Sequence, residues 1–164
     1  MQVKTFTDAA GRTWTIALNL GTAMAVKAKL GIDLLQPEAP RNGDPNGPPL
    51  LTLLGTDEML LGEVLCALLE SQFEAHQVTD ADVQAAFDGN TLLAAQKAFY
   101  EEMIDFFRSR GRTDRAKAVA KQVALIDAAI AAIETRIDTI DVEQTIAGAM
   151  SGDLREASAS TQGP

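Results

Sequence analysis

Two residue types that could carry nucleophilic or proton-transfer chemistry occur once each, as His76 and Cys66. His76 follows Glu70 and Glu74, and a histidine beside carboxylates can act as a base or a ligand. It also closes an apolar helical stretch, where a cation suits the C-terminal dipole, so a structural role is expected. Cys66 sits within VLCALL with no neighbouring cation to stabilise a thiolate, and reads as buried apolar filler. Glu101, Glu102 and Asp105 alternate with aromatic residues over 99–107 and read as the solvated face of that helix. Asp80, Asp82 and Asp88-Gly89 fail as a calcium loop, because the glycine is misplaced and no glutamate follows at the twelfth position. Capping and solvation account for these aspartates. A single histidine excludes a multi-histidine metal site. Neither a Gly-Lys-Ser/Thr phosphate loop nor a Gly-x-Ser-x-Gly elbow is present. The expectation is a non-enzyme with no catalytic residue, no cofactor and no metal.

Charge narrows the partners. The chain has 164 residues, with 14 basic and 23 acidic side chains, a formal net charge of −9. A nucleic-acid binder would be basic, so no nucleic-acid partner is expected. Six of the 14 basic groups nevertheless fall between Arg108 and Lys121, at Arg108, Arg110, Arg112, Arg115, Lys117 and Lys121. Part of that run suits a helix C-terminus, and the rest could dock an acidic partner or the protein's own acidic surface. The most apolar stretch, Leu50 to Leu69, is broken by Gly55, Asp57, Glu58, Gly62 and Glu63. A spanning helix needs about 20 mostly apolar residues, so a buried core helix is expected and no membrane partner. The N-terminus carries no signal-peptide pattern, and one cysteine forms no internal disulfide. A soluble protein of a reducing compartment follows as the expectation.

The elements that must position these residues are legible in outline. VKTFT at 3–7 and TWTIAL at 13–18 flank DAAGR, the pattern of a β-hairpin within residues 1–19. Val3, Phe6, Trp14 and Ile16 are its apolar anchors, and Phe6 and Trp14 read either as plain core or as partly exposed contact residues. A lone hairpin is marginal in water, so it must pack on the helices that follow. Asn19 and Thr22 are candidate N-caps for a helix to Leu30, and Gly31 suits its C-terminus. Residues 36–49 hold five prolines and two glycines and read as a flexible surface loop. Helices are expected over 57–73, from Thr79 with Asp82 completing a capping box, and over 91–109, ended by Gly111.

From about Asp114 a last helix carries Val119, Val123, Ile126, Ile130, Ile133, Ile137 and Ile140, spaced 4, 3, 4, 3, 4, 3. That is a heptad seam. It reads either as the face that packs on the domain or as an oligomerisation helix, and the two stay open here. A single domain over 1–150 and a disordered tail over 151–164 complete the expected organisation. The fold class is mainly α (α+β): an N-terminal β-hairpin on a bundle of about five helices, with a long C-terminal helix.

The run KTFTDAAGRTWTIALNLGTAMAVKAKLGIDLL at 4–35 resembles the opening of tail assembly chaperones of long-tailed phages and prophages. VTDADVQAAFDGNTL at 78–92 is similar to a second stretch of such proteins, and Leu93 to Phe107 would be the helix that follows. The likeness covers about two-thirds of the chain. It implies a non-enzymatic protein of the bacterial cytoplasm that coats the tape-measure protein, keeps it soluble and helps recruit tail-tube subunits. Phe6, Trp14, Val123, Ile126, Ile130, Ile133 and Ile137 are the partner-binding candidates. The alternative is a structural tail or adaptor protein that homo-oligomerises through the C-terminal helix.

Overall fold

A computed structural model describes residues 2–138. Ile140 of the seam and the expected tail at 151–164 lie outside the described residues. The chain divides into two units, residues 1–125 and 126–164. The architecture is mainly helical with an N-terminal antiparallel hairpin.

The hairpin pairs β1 (Lys4–Thr7) with β2 (Thr13–Ile16), setting Lys4 opposite Ile16 and Phe6 opposite Trp14. Side chains alternate along a strand, so Lys4, Phe6, Trp14 and Ile16 share one face. Phe6 is 6% exposed and Trp14 0%. Of the two readings of these aromatics, the core one holds and partial exposure does not. Val3 is corrected as an anchor. It falls on the opposite face by the period of two and is exposed. Lys4 takes its place on the inner face, its stem covered and its ammonium 3.1 Å from Asp105.

The turn is organised by Asp8, which is buried. Its carboxylate accepts from the backbone N–H of Ala10 (3.0 Å) and of Arg12 (2.9 Å), from Arg12 Nη1 (3.3 Å) and from Trp14 Nε1 (2.9 Å). Gly11 supplies the left-handed φ of 82° that the turn requires. Burial pushes the Asp8 carboxyl up, but the bonds from Trp14, Arg12 and Ala10 outweigh it and hold the group below its ordinary 3.8.

Helix α1 (Leu20–Leu30) is capped by Asn19, which accepts from Thr22 N at 3.0 Å while Thr22 Oγ1 accepts from Asn19 N at 3.0 Å. Gly31, at φ 68°, ends it. The proline-rich segment is a surface loop, and several hydrogen bonds tie it to the fold. Leu50 N donates to Ala39 O and Leu51 N to Pro37 O, Pro40 bridges Pro49, and Arg41–Gly43 form a 3-10 turn. Arg115 ties it down from a distance, donating to Leu35 O (2.7 Å) and Glu38 Oε1 (2.6 Å). Prolines exclude helix and central strand, but they stiffen a loop whose few free N–H groups find partners.

The apolar run after the loop forms two helices, α2 (Leu50–Thr56) and α3 (Glu58–Leu69). Asp57 divides them. Its extended backbone closes α2 through its N–H to Leu53 O, and its carboxylate caps α3 at Leu60 N (3.0 Å). Seven residues of α3 are buried, because it packs against α1, α2, β2, α5 (Asp80–Ala86) and α6 (Gly89–Ser109). A single turn, α4 (Phe73–His76), precedes α5. Thr79 and Asp82 form the expected capping box of α5, and Asp88 caps α6 at Thr91 N (2.8 Å). α6 carries both strands of the hairpin. Gly111, at φ 76°, turns the chain into α7 (Thr113–Asp138).

Asp8→Ala is expected to destabilise the fold by about 2 to 3 kcal/mol, because it strands the buried Trp14 N–H and two backbone donors. Because the Asp8 carboxyl sits below 3.8 in the fold, its stabilisation is present above that value and is lost as pH falls below it. Thermal melts from pH 7 down to about pH 2.5 should therefore decline less steeply in the variant than in the wild type.

Candidate functional site

Within the first unit, α3 presents one stripe outward: Glu58, Met59, Gly62, Glu63, Cys66 and Ala67. These positions recur at the helical period. They form the floor of an open cleft of about 570 Å³. Lys29 and Leu30 at the end of α1 supply one wall, and Asp80, Gln84, Phe87 and Leu92 from α5 and the start of α6 supply the other. Leu30, Cys66, Phe87 and Leu92 are half-buried, and Met59 is 78% exposed. Phe87 is held from behind, with the Phe6 ring edge-on to it at 5.6 Å and Ala9 N donating to Ala86 O at 3.0 Å.

Gly62 shapes the floor. It lies inside a helix, where glycine costs up to about 1 kcal/mol relative to alanine. No heavy atom lies within 4 Å of where its Cβ would stand. Close packing therefore does not require a glycine here. What the missing side chain does is leave the cleft deeper.

Burial, with Asp80 adding to it, pushes the Cys66 thiol above its ordinary value, although Lys29 pulls the other way. The neutral thiol is a poor nucleophile. Lys29 is tied to Glu70 at 3.0 Å, which raises its own value. Among the described residues, Glu58, Glu63 and Asp80 form no close ion pair, and Lys29 feels both Glu70 and Asp80, so the rim carries a net negative charge. No group of three metal-ligating side chains occurs among the described residues. No described helix is long and apolar enough to cross a membrane.

The other chemistry-bearing residues are spent on structure. The half-buried His76 ring, at the end of α4, lies 4.4 Å from that of Trp14. Glu102 and Asp105 are not the free solvated face expected. Glu102 accepts from Leu18 N (3.1 Å) and Asp105 pairs with Lys4, both fastening the hairpin to α6. Burial pushes the Tyr100 phenol up to about 12, with Gln96 opposing. Asp82 and Asp88 have lowered values, each because backbone N–H donors at Thr79 and Thr91 favour the carboxylate. From the basic run, Arg112 pairs with Asp114 (2.8 Å) and Arg115 with Glu38. Arg108, Arg110, Lys117 and Lys121 stay exposed.

The partner-binding candidates separate. Phe6 and Trp14 are inside the core and present no free surface. Val119, at the head of the seam, is fully buried and Val123 is half-buried; in the second unit Ile126 is half-buried. In the second unit Ile130, Ile133 and Ile137 are 40%, 58% and 60% exposed. The seam therefore divides: its beginning is core and its later isoleucines are open. The cleft itself was missed by the sequence reading. Its one local signal was Gly62 in the middle of an otherwise strong apolar helix.

No family model, curated protein or solved structure matches the chain.

Two stability measurements check these assignments. Gly62→Ala should raise stability by about 0.5 to 1 kcal/mol, read as a higher midpoint in thermal melts. Ile130→Asp should change the melt of the dilute protein by no more than about 0.5 kcal/mol, whereas Val119→Asp should cost roughly 3 kcal/mol or more. Equal losses at the two positions would show that the seam is core throughout.

Proposed function

We propose that this protein is a non-enzymatic phage tail assembly chaperone that holds the tape-measure protein and assists tail-tube assembly in the host cytoplasm. The observation that carries the reading is the cleft. Its two walls come from the two stretches that resemble that family: Lys29 and Leu30 lie within 4–35, and Asp80, Gln84, Phe87 and Leu92 lie within 78–92. A long helical client exposes apolar ridges that would otherwise aggregate, and a groove between helices is a standard means of covering them. Negative charge on the carrier keeps such an assembly dispersed.

The second reading is a structural tail or adaptor protein that self-associates through the C-terminal helix. The exposed Ile130, Ile133 and Ile137 favour it, because β-branched residues repeated at heptad spacing are what a coiled-coil seam needs.

Co-expression with the long helical protein encoded beside it, followed by tagged pull-down and sedimentation, tests the first reading. The neighbour should be soluble only in the presence of this chain and should co-purify with it. A neighbour that behaves the same without it, and is not retained, removes the chaperone reading. Recovery of this chain in purified tails would favour the adaptor.

A further inference from the structure

We infer that the α3 cleft receives an amphipathic helix of another protein whose apolar ridge is flanked by lysine or arginine. The inference rests on the client-holding reading above and specifies which part of a client is held.

Shape gives the first half of the argument. The cleft is open along one side and holds about 570 Å³. That is room for a few large apolar side chains and not for a whole helix, whose diameter with side chains is about 10 Å. A helix lying across the mouth would insert residues three and four apart, the spacing at which one ridge faces one surface. The lining suits such an insertion. Gly62 and Ala67 give the floor its small side chains, Leu30, Phe87 and Leu92 are apolar walls, and Met59 stands at the mouth. Methionine is unbranched and adapts to varied apolar shapes. A glycine at position 62, with nothing within 4 Å of its missing Cβ, keeps space that the isolated fold has no use for.

Charge gives the second half and chooses the occupant. Glu58, Glu63 and Asp80 border the cleft without close ion pairs among the described residues, and the one cation there, Lys29, bonds Glu70 and also feels Asp80, which leaves the rim net negative. An apolar ridge with flanking cations would satisfy that rim. A second copy's exposed seam would not. Ile130, Ile133 and Ile137 are accompanied by Asp127, Glu134 and Asp138 against Arg136 alone. Docking that segment here would place like charges together, which disfavours the complex.

The test uses the full chain and a synthetic amphipathic peptide of about five helical turns, with leucines on one ridge and flanking lysines. A matched peptide has glutamates in place of the lysines. Fluorescence anisotropy should show the lysine peptide binding at least about tenfold more tightly, with the gap closing at high salt. Gly62→Leu places a side chain in the cleft and should weaken the lysine peptide at least about tenfold without lowering the thermal midpoint. Glu63→Lys should narrow the preference between the peptides. Equal binding of the two peptides, no binding of either, or indifference to Gly62→Leu would each overturn the inference. So would a self-associated chain that Gly62→Leu dissociates, since the occupant would then be a second copy. Co-purification separates this inference from the reading beneath it. A client retained equally by wild type and Gly62→Leu removes the cleft and leaves the chaperone. A client never retained, with the lysine peptide still bound at the cleft, removes the chaperone and leaves the cleft.

Discussion

Asp8 is a carboxylate with no exposed side-chain surface, and four donors converge on it from the turn, from Arg12 and from the Trp14 indole. A buried anion is tolerated only where hydrogen bonds replace its water. Here the replacement bonds also shape the hairpin. They close the turn, set the register that puts Phe6 opposite Trp14, and orient the indole inward. The fully buried Trp14 then packs against Phe73 (5.9 Å between rings) and His76. The short strands could not stand alone. They stand because one polar knot commits their largest side chain to the helical core.

Other groups finish the attachment. Gln72 donates to Thr15 O at 2.8 Å and accepts from Thr15 N at 3.0 Å, behaving as a fragment of a third strand along the open edge of β2. Edge N–H and C=O groups need partners or water, and this side chain provides them from the 3-10 turn that follows α3. From α6, Glu102 at Leu18 N and Asp105 at the Lys4 ammonium fasten the open end of the hairpin. The cleft depends on this arrangement. Phe87 forms one wall, and behind it lie the Phe6 ring and the bond from Ala9 to Ala86. Lys29 and Glu70 join the opposite wall to the far end of α3. The turn at Asp8 thus reaches the candidate site through two packed aromatic rings.

The cleft and the isoleucine seam are different kinds of open apolar surface. The cleft is concave, bordered by carboxylates and floored by a glycine. The seam from Ile130 to Ile137 is a ridge on one helix. A concave surface takes side chains from a partner, and a ridge at heptad spacing supplies them. Their charge patterns are alike rather than complementary, so the two surfaces are suited to different partners.

Local physics made much of the fold readable in the sequence. The Asn19 cap, the Thr79–Asp82 box, the left-handed glycines at 31 and 111 and the hairpin at 4–16 each depend on residues within a few positions of one another. So does the wide apolar face of α3, which declared a buried helix before any neighbour was known. The tertiary structure decided what depends on distant partners. Asp8 reads as a turn residue until the indole of Trp14 arrives over it. The proline segment reads as flexible until Arg115, 77 positions beyond Glu38, binds it. Regular spacing marked the six seam residues of α7 as equivalent, yet Val119 is enclosed and Ile137 is open, because a periodic pattern states which residues share a face and not what covers it. The cleft belongs wholly to this second class. Its floor and walls come from four helices and the short link between α5 and α6, and only their packing leaves the space above Gly62 empty.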